Sequence, residues 1–245
     1  MAEVTRTMGH IEQLPLGRPC GHLIDRQGDS LLHRRRFARC GRPFLIRGND
    51  VRRVEQAGAS RLFSEVEAAV RAQLRFSRAV KFKGRQARQY VAETSVTLRH
   101  PPPPPRRRAG RVVSRHSRGR ALTLRLILAE VRDPRGAVLA TWRLWTNLPP
   151  TVSAATVALW YYWRWRIESY FKLLKRSGQH VEQWQQEPAE ALAKRLLVAA
   201  QACVMVWALL RAGPELSELR RFLSRLSGRL RKRGVEATGP ALLAG

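Results

Sequence analysis

Four side chains that suit phosphate and metal chemistry recur at helical spacing in the second half of the chain. Tyr161, Arg164, Glu168 and Lys175 follow one another at intervals of three, four and seven residues. On a helix that turns about 100° per residue, they fall within an arc of roughly 60°. A carboxylate beside two cations and a phenol suits metal-dependent phosphoryl transfer. Another side of the helix is apolar and is predicted to be buried; it carries Trp160, Trp163, Ile167, Tyr170 and Leu174.

This spacing resembles the motif around the last catalytic acid in a large branch of bacterial insertion-sequence transposases. These are the DDE transposases, which have a ribonuclease-H-like catalytic fold. The resemblance implies that Glu168 is the third catalytic acid, that Arg164 and Lys175 bind DNA phosphates, and that Tyr161 assists at the scissile region. The structural alternative is a surface tyrosine together with an ion pair between Glu168 and Lys172 at i+4.

A second stretch carries the resemblance further towards the N-terminus. The segment Leu23–Asp29 resembles the family's Asp-Arg-Glu-Gly-Asp motif, with glutamine at its third position, and Phe44–Arg47 resembles the strand that follows it. α/β sheets place ligand sites at the carboxyl ends of strands, so Asp25 is implied as the second acid. Alternatively, Asp29 is the ligand or the cap of the next helix, and Asp25 is a turn residue that pairs with Arg26.

The resemblance also implies a cofactor. The family cuts DNA with two divalent metal ions, about 3.5–4 Å apart, held by three carboxylates. Mg²⁺ prefers hard oxygen ligands, so Asp25 and Glu168 are its implied ligands here. Three tryptophans could stack on a flipped base, although packing into the core is the favoured alternative; they are Trp142, Trp145 and Trp184.

The family's first catalytic aspartate has no counterpart in this sequence. Only Glu3 and Glu12 precede Asp25 among the acidic residues, and Asp50 and Asp133 are predicted in turns. We therefore expect the C-terminal portion of a catalytic domain, truncated and inactive in cleavage. It would still bind DNA at transposon ends and targets. The alternative is a non-catalytic DNA-binding or inhibitory fragment that forms a homodimer or associates with a full-length transposase.

Composition agrees with a nucleic-acid partner. The 245 residues include 46 basic and 18 acidic side chains, for a net charge of +28, and 40 of the basic residues are arginine. So large an excess attracts polyanions through counterion release; codon bias is the alternative source of part of it. Three scattered cysteines and the absence of an N-terminal apolar segment predict a reducing, cytoplasmic setting without a membrane.

The pattern of elements predicts an α/β fold that is ribonuclease-H-like, N-terminally truncated, and extended by an inserted β-rich region and C-terminal helices. The resemblance covers about residues 20–211. The predicted segments are a lead-in at 1–21, a partial ribonuclease-H-like core at 22–75, a β-rich insertion at 76–147, the helical remainder of the core at 148–211, and an amphipathic basic tail at 212–245.

Local signals refine these segments. A strand at His22, a helix stopping near Gly41 and a strand at Pro43–Arg47 predict a parallel pair at a sheet edge. A helix is expected over 60–75 and a hairpin turn at Asp133–Gly136. Further expectations are a basic surface loop over Pro101–Arg108 and a long helix opened by Thr151 or Ser153. A buried helix is expected over about 189–211, and its apolar run Leu196–Leu210 falls short of a bilayer span. An apolar tail face is expected to run from Leu216 to Leu230.

Overall fold

The computed structural model describes residues 2–26, 29–48, 53–99, 106–108, 111–114, 121–177, 179–185, 188–228 and 238–244. The chain divides into two compact units, Met1–Tyr162 and Trp163–Gly245. The predicted turns at Gln27–Gly28 and Asn49–Asp50, and the proline run Pro101–Pro105, lie outside the described residues.

The first unit combines helices with all the described strands. Its helices are α1 (Ala2–Glu12), α2 (Leu31–Arg39), α3 (Phe63–Arg71) and α4, which spans Ala154–Trp163 and ends at the boundary. Its strands are β1 (His22–Ile24), β2 (Phe44–Arg47), β3 (Arg53–Gln56), β4 (Ala59–Leu62), β5 (Arg75–Phe82), β6 (Arg85–Leu98), β7 (Arg106–Arg108), β8 (Arg111–Ser114), β9 (Leu122–Arg132) and β10 (Val138–Thr146).

Eight of these strands form one mixed sheet, which confirms the α/β class. Their order is β1-β2-β10-β9-β6-β3-β4, and β5 pairs with β6. β1 and β2 run parallel with His22 opposite Phe44, and the other pairs are antiparallel. The predicted parallel pair at the sheet edge is confirmed. β7 and β8 form a separate ribbon, so the prediction of a loop at Arg106–Arg108 is wrong.

The centre of the sheet is buried on both faces. Leu124, Leu126 and Leu128 of β9 belong to one hydrophobic cluster, while Ile127 and Val131 of the same strand belong to another. The first cluster includes residues of α2 and α3, and the second includes residues of α4. A strand covered on two sides carries apolar residues on both faces and loses the simple alternation of a half-exposed strand.

Several local predictions hold because their chemistry is local. The hairpin at Asp133 forms, with its Oδ1 accepting hydrogen bonds from the backbone N–H groups of Arg135 and Ala137. Ser153 opens α4, since its Oγ accepts the Thr156 N–H at 3.2 Å. Gly41 adopts φ +66° just after α2. The helix expected over 60–75 is shorter, because residues 59–62 pair as β4 instead.

Helix α1 is anchored through its last residue. Glu12 accepts hydrogen bonds from His22 at 2.8 Å and from Arg42 at 2.9 Å. Partial desolvation acts to raise the pKa of Glu12, but these two hydrogen bonds outweigh it and hold that pKa below its usual value. The carboxylate therefore stays charged at neutral pH and ties α1 to both flanks of the parallel strand pair.

The second unit is helical in its described parts. It contains α5 (Trp165–Lys172), α6 (Ala189–Arg211), α7 (Ser217–Leu226) and α8 (Gly239–Ala244), with a π-helical turn at Leu173–Ser177 and short 3₁₀ turns at Val181–Gln183 and Pro214–Leu216. Arg220 of α7 donates hydrogen bonds to the carbonyls of Leu209, Ala212 and Gly213, which satisfies the carboxyl end of α6.

The predicted burial of α6 is wrong. Cys203 and Val206 lie in the core of the unit, but Leu197, Val198 and Met205 are each more than 60% exposed. Among the described residues, α6 alone is long and apolar enough to cross a membrane by length and composition, contrary to the predicted shortfall; one such helix is weak evidence for a span. These exposed apolar side chains form a stripe along α6.

Gly48 provides a test of packing at the end of β2. Its N–H donates to the Arg143 carbonyl at 2.7 Å, and a Cβ at this position would overlap the indole ring of Trp145. We expect Gly48→Ala to lower the free energy of unfolding by about 1–3 kcal/mol, because overpacking strains a filled core. Chemical denaturation measures the change.

Gly21→Ala is the matched control, since a Cβ there meets nothing within 4 Å and Gly21 does not require positive φ. Its stability should stay within about 0.5 kcal/mol of the parent chain. Equal losses for the two substitutions would contradict the described contact between Gly48 and Trp145.

Candidate functional site

Asp25 stands where the sequence predicts a ligand-binding carboxylate. It directly follows β1, at the carboxyl end of the outer strand of the parallel pair. Its side chain is exposed, and its Oδ1 accepts the backbone N–H of Arg26 at 2.8 Å. An oxygen ligand at this position is accessible to an ion or a phosphate-bearing partner.

Asp29, the alternative ligand, is engaged elsewhere. Its carboxylate forms an ion pair with Arg34, and both side chains are fully buried. Ser30 occupies the N-cap position of α2 and makes no side-chain capping bond. The guanidinium of Arg34 also lies 4.6 Å from the centroid of the Trp145 ring. This arrangement braces the connection between β1 and α2 and leaves Asp25 as the accessible carboxylate of the segment.

Tyr161 lies in the core, with its hydroxyl directed at Asp25. Its side chain is 0% exposed, and its ring packs edge-on against Trp142 at 5.4 Å between centroids. The hydroxyl donates to Asp25 Oδ1 at 3.4 Å, across 136 residues of sequence. That distance is long for an O–H···O bond, but it joins the two sequence motifs within the first unit.

The predicted single helical face is wrong. The helix is interrupted at Arg164, and Leu173–Ser177 form a π-helical turn, so residues 161–175 do not share one 100° period. Burial differs accordingly: Tyr161 is buried, whereas Trp163 and Ile167, predicted as part of the buried stripe, are exposed. The four side chains therefore divide between the two units, with Tyr161 in the first and Arg164, Glu168 and Lys175 in the second.

In the second unit, Glu168 and its neighbouring cations form ion pairs. The Glu168 side chain is 51% exposed and lies 3.5 Å from Arg164, one turn earlier, rather than pairing with Lys172. Lys175 pairs with Glu182 at 2.9 Å, and both side chains are about half exposed. The exposed Lys175–Glu182 pair contributes little stability, so a phosphate could replace its acidic partner, whereas the Arg164 side chain is only 16% exposed.

The tryptophans are packing residues, as the structural alternative predicted. Trp142 and Trp145 are buried on opposite faces of β10. Trp184 packs against the core of the second unit, donates its indole N–H to the Gln179 carbonyl at 2.8 Å, and lies 4.2 Å beneath the guanidinium of Arg195. Trp142 and Trp145 are buried and cannot offer a face to a base, whereas Trp184 is partly buried.

Asn147 is a positioning residue that was not among the predicted site residues. Its Oδ1 accepts the Phe44 N–H at 2.9 Å, and its Nδ2 donates to the Arg42 carbonyl at 2.8 Å. Thr146 beside it donates to the Phe44 carbonyl at 2.6 Å. These side chains fasten the end of β10 to the start of β2. The sequence signal that could have identified this role is the polar pair Thr146 and Asn147 at the end of a strand.

Asp25 is a candidate ligand for a metal ion. Within the described ranges, no three His, Cys, Asp or Glu side chains are grouped to hold an ion. Asp25 offers the hard carboxylate oxygen that Mg²⁺ prefers, and it is the accessible acid of its segment. Each unit thus supplies one of the two predicted carboxylate ligands, Asp25 in the first and Glu168 in the second.

Comparison with known proteins gives no match: no family model fits the chain, and no curated protein is significantly similar to it. Assignment of a function therefore rests on the residues and their geometry.

Two substitutions separate the packing of Tyr161 from its hydrogen bond to Asp25. Tyr161→Phe keeps the ring against Trp142 and should change the free energy of unfolding by no more than about 1.5 kcal/mol. Tyr161→Ala should cost about 3–5 kcal/mol, because it leaves a cavity in the core. Urea denaturation of both variants measures the difference; similar losses would contradict the core position of the ring.

Proposed function

We propose that this chain is the C-terminal portion of a DDE transposase catalytic domain of the bacterial insertion-sequence type. The observation that carries the proposal is the hydrogen bond from Tyr161 to Asp25. The two residues belong to separate motifs that the resemblance assigns to one site. Their contact supports a shared site, because it brings the two motifs together.

The topology supports a ribonuclease-H-like core with a β-rich insertion. Strand β1, helix α2 and strand β2 form a parallel unit with Asp25 at its carboxyl edge. Strands β5, β6, β9 and β10 continue the same sheet, because β10 pairs with β2. An insertion that extends the sheet rather than forming a separate layer leaves the edge bearing Asp25 unobstructed by its own strands.

In the proposed site, Asp25 and Glu168 would hold Mg²⁺. When bound, such ions stabilise the attacking and leaving oxygens of a phosphodiester. The part of this chain is to supply oxygen ligands and to fix them: Tyr161 orients Asp25, and Arg164 lies beside Glu168. With two of the family's three acids identified, we propose that the chain binds DNA in the cytoplasm but does not cut it unaided.

DNA binding would come from the basic surface, with Arg164 and Lys175 at the proposed site. Arginine offers a fork that fits phosphate oxygens and lysine a point charge. Both already lie beside carboxylates, so binding exchanges one anionic partner for another.

We expect the chain to bind duplex DNA, and the variants Arg164→Ala and Lys175→Ala to bind it more weakly. Each should reduce the slope of log K against log salt by about one, since each removes one phosphate contact. Lys194→Ala is the matched control, because Lys194 also pairs with a glutamate in the second unit, Glu190 at i−4. Fluorescence anisotropy over a salt series gives the slopes; equal slopes for all three variants would remove these two residues from the interface.

The cleavage part of the proposal has its own measurement. The pure chain incubated with supercoiled plasmid and Mg²⁺ should leave the plasmid intact. Nicking that depends on Mg²⁺ and disappears in Glu168→Gln would show that the site is catalytically sufficient and that the proposed inactivity is wrong.

A second candidate function is inhibition of an intact transposase through the C-terminal helices. The observation that favours it is the exposed apolar face of α7, where Leu219, Phe222 and Leu226 are each more than 40% exposed. An amphipathic helix of this kind can lie in the groove of a partner. The same face could also serve a homodimer.

Association is tested by mixing the chain with a full-length transposase that carries the same motifs. Sedimentation at micromolar concentration should show a complex that Phe222→Glu dissolves. Arg221→Glu, on the adjacent exposed position, is the control for added negative charge. Absence of any complex, hetero-oligomeric or homodimeric, would eliminate this second function.

A further inference from the structure

The β5–β6 hairpin concentrates positive charge in the first unit. Residues 75–92 contain six basic side chains and no acidic one. β5 pairs with β6 alone, from Arg75 opposite Val91 to Phe82 opposite Arg85. The hairpin is thus a basic part of the sheet in which β5 lies at the edge and β6 also pairs with β9 from Arg88 onwards.

One face of this hairpin combines aromatic rings with cations. Phe76 stands opposite Tyr90, and Ala79 stands opposite Arg88, which in turn stands opposite Arg132 of β9. Side chains alternate between faces along a strand, so these residues share one face. We call it the hairpin face and define it by Phe76, Lys81, Arg88, Tyr90 and Arg132.

The rings on the hairpin face are ordered by contacts but remain accessible. Phe76 lies edge-on to Tyr90 at 5.9 Å between centroids, and it is 59% exposed. Arg132 lies 4.8 Å above the Tyr90 ring and pairs with Glu130 at 2.7 Å. Arg132 therefore holds one face of the Tyr90 ring, while most of the Phe76 ring is open to solvent.

The other two cations of the hairpin face, Lys81 and Arg88, differ from Arg132 in their ion pairing. Lys81 and Arg88 are exposed and make no ion pair within the parts of the chain that the structure describes. Charged side chains on edge strands also prevent unwanted strand pairing. That role does not require an exposed aromatic ring on the same face, and a solvent-facing phenylalanine gains nothing from water.

We propose that the hairpin face binds single-stranded DNA, with a base stacked on Phe76 and the neighbouring phosphates on Lys81 and Arg88. Aromatic platforms set among cations are how proteins hold unpaired strands, since every base offers a π-face and every nucleotide a charge. The proposal deepens the DNA-binding function proposed above and rests on it. It adds a second contact region, remote in sequence from Glu168 and specific for unpaired nucleotides.

The test uses the full chain and fluorescein-labelled oligothymidine of about 12 nucleotides, a length within the usual site size. Phe76→Ala should weaken binding about tenfold, the loss expected from one stacked base. Phe76→Leu should weaken it similarly, because it keeps apolar volume but removes the ring. The double variant Lys81→Ala with Arg88→Ala should lower the salt slope by about 1.4, from two single-strand phosphate contacts.

Arg75→Ala is the matched control, because Arg75 lies on the same strand but on the opposite face and is also exposed. It should change the affinity by less than about twofold, as expected for a screened charge outside the contact. Circular dichroism checks that each variant keeps the folded state of the parent chain.

The outcomes separate this inference from the proposed function. If the unaltered chain binds neither single-stranded nor duplex DNA, both fail. If it binds both but Phe76→Ala and Arg75→Ala behave alike, the hairpin face alone is wrong. Tighter binding of oligouridine than of oligothymidine would overturn the choice of DNA over RNA.

Discussion

The hydrogen bonds of Thr146 and Asn147 to the backbone of β2 are the interaction on which the candidate site depends. Antiparallel pairing of β10 with β2 ends at Thr146, opposite Leu45. Beyond that point, side chains replace backbone groups and bond to Phe44 and to the Arg42 carbonyl. A strand that would otherwise fray at its end is thereby fixed in register.

The junction between β10 and β2 positions two parts of the site, one through β2 and the other through the chain after Asn147. β2 orients β1 by parallel pairing and so presents Asp25 at the carboxyl edge. On the other side, the chain leaves Asn147, enters α4 at Ser153, and brings Tyr161 back against Trp142. The hydroxyl of Tyr161 can reach Asp25 because the junction between β10 and β2 fixes the positions of both residues. Misplacement of the junction would move both groups at once.

The sequence predicted what local chemistry decides and missed what tertiary packing decides. The hairpin at Asp133 and the start of α4 at Ser153 depend on side chains bonding to nearby backbone, and both form as expected. The site was predicted from a uniform helix over 161–175, and the break at Arg164 defeats that assumption. The stretch carries no proline, the usual sequence signal for a kink.

The sequence also failed to predict which side chains are buried. Tyr161 was assigned to a polar face, yet its ring is in the core and only its hydroxyl serves Asp25, because an amphipathic side chain can do both. The pairing of Asp29 with Arg34 was also invisible, since a spacing of five is not a neighbouring position on a helix. Asp25 itself was predictable because a carboxylate after a short apolar strand is a local pattern.

The same junction dictates the order of events during synthesis. Asn147 lies 103 residues after Phe44, and at ribosomal speeds of about 5–20 residues per second this interval lasts roughly 5–20 s. During that interval Phe44, Leu45 and Ile46, all fully buried in the finished sheet, wait without the strand that will cover them. Long-range pairing of this kind is slow and leaves apolar segments open to wrong partners. During synthesis β2 therefore stays without its antiparallel partner far longer than a strand that pairs with a sequence neighbour would.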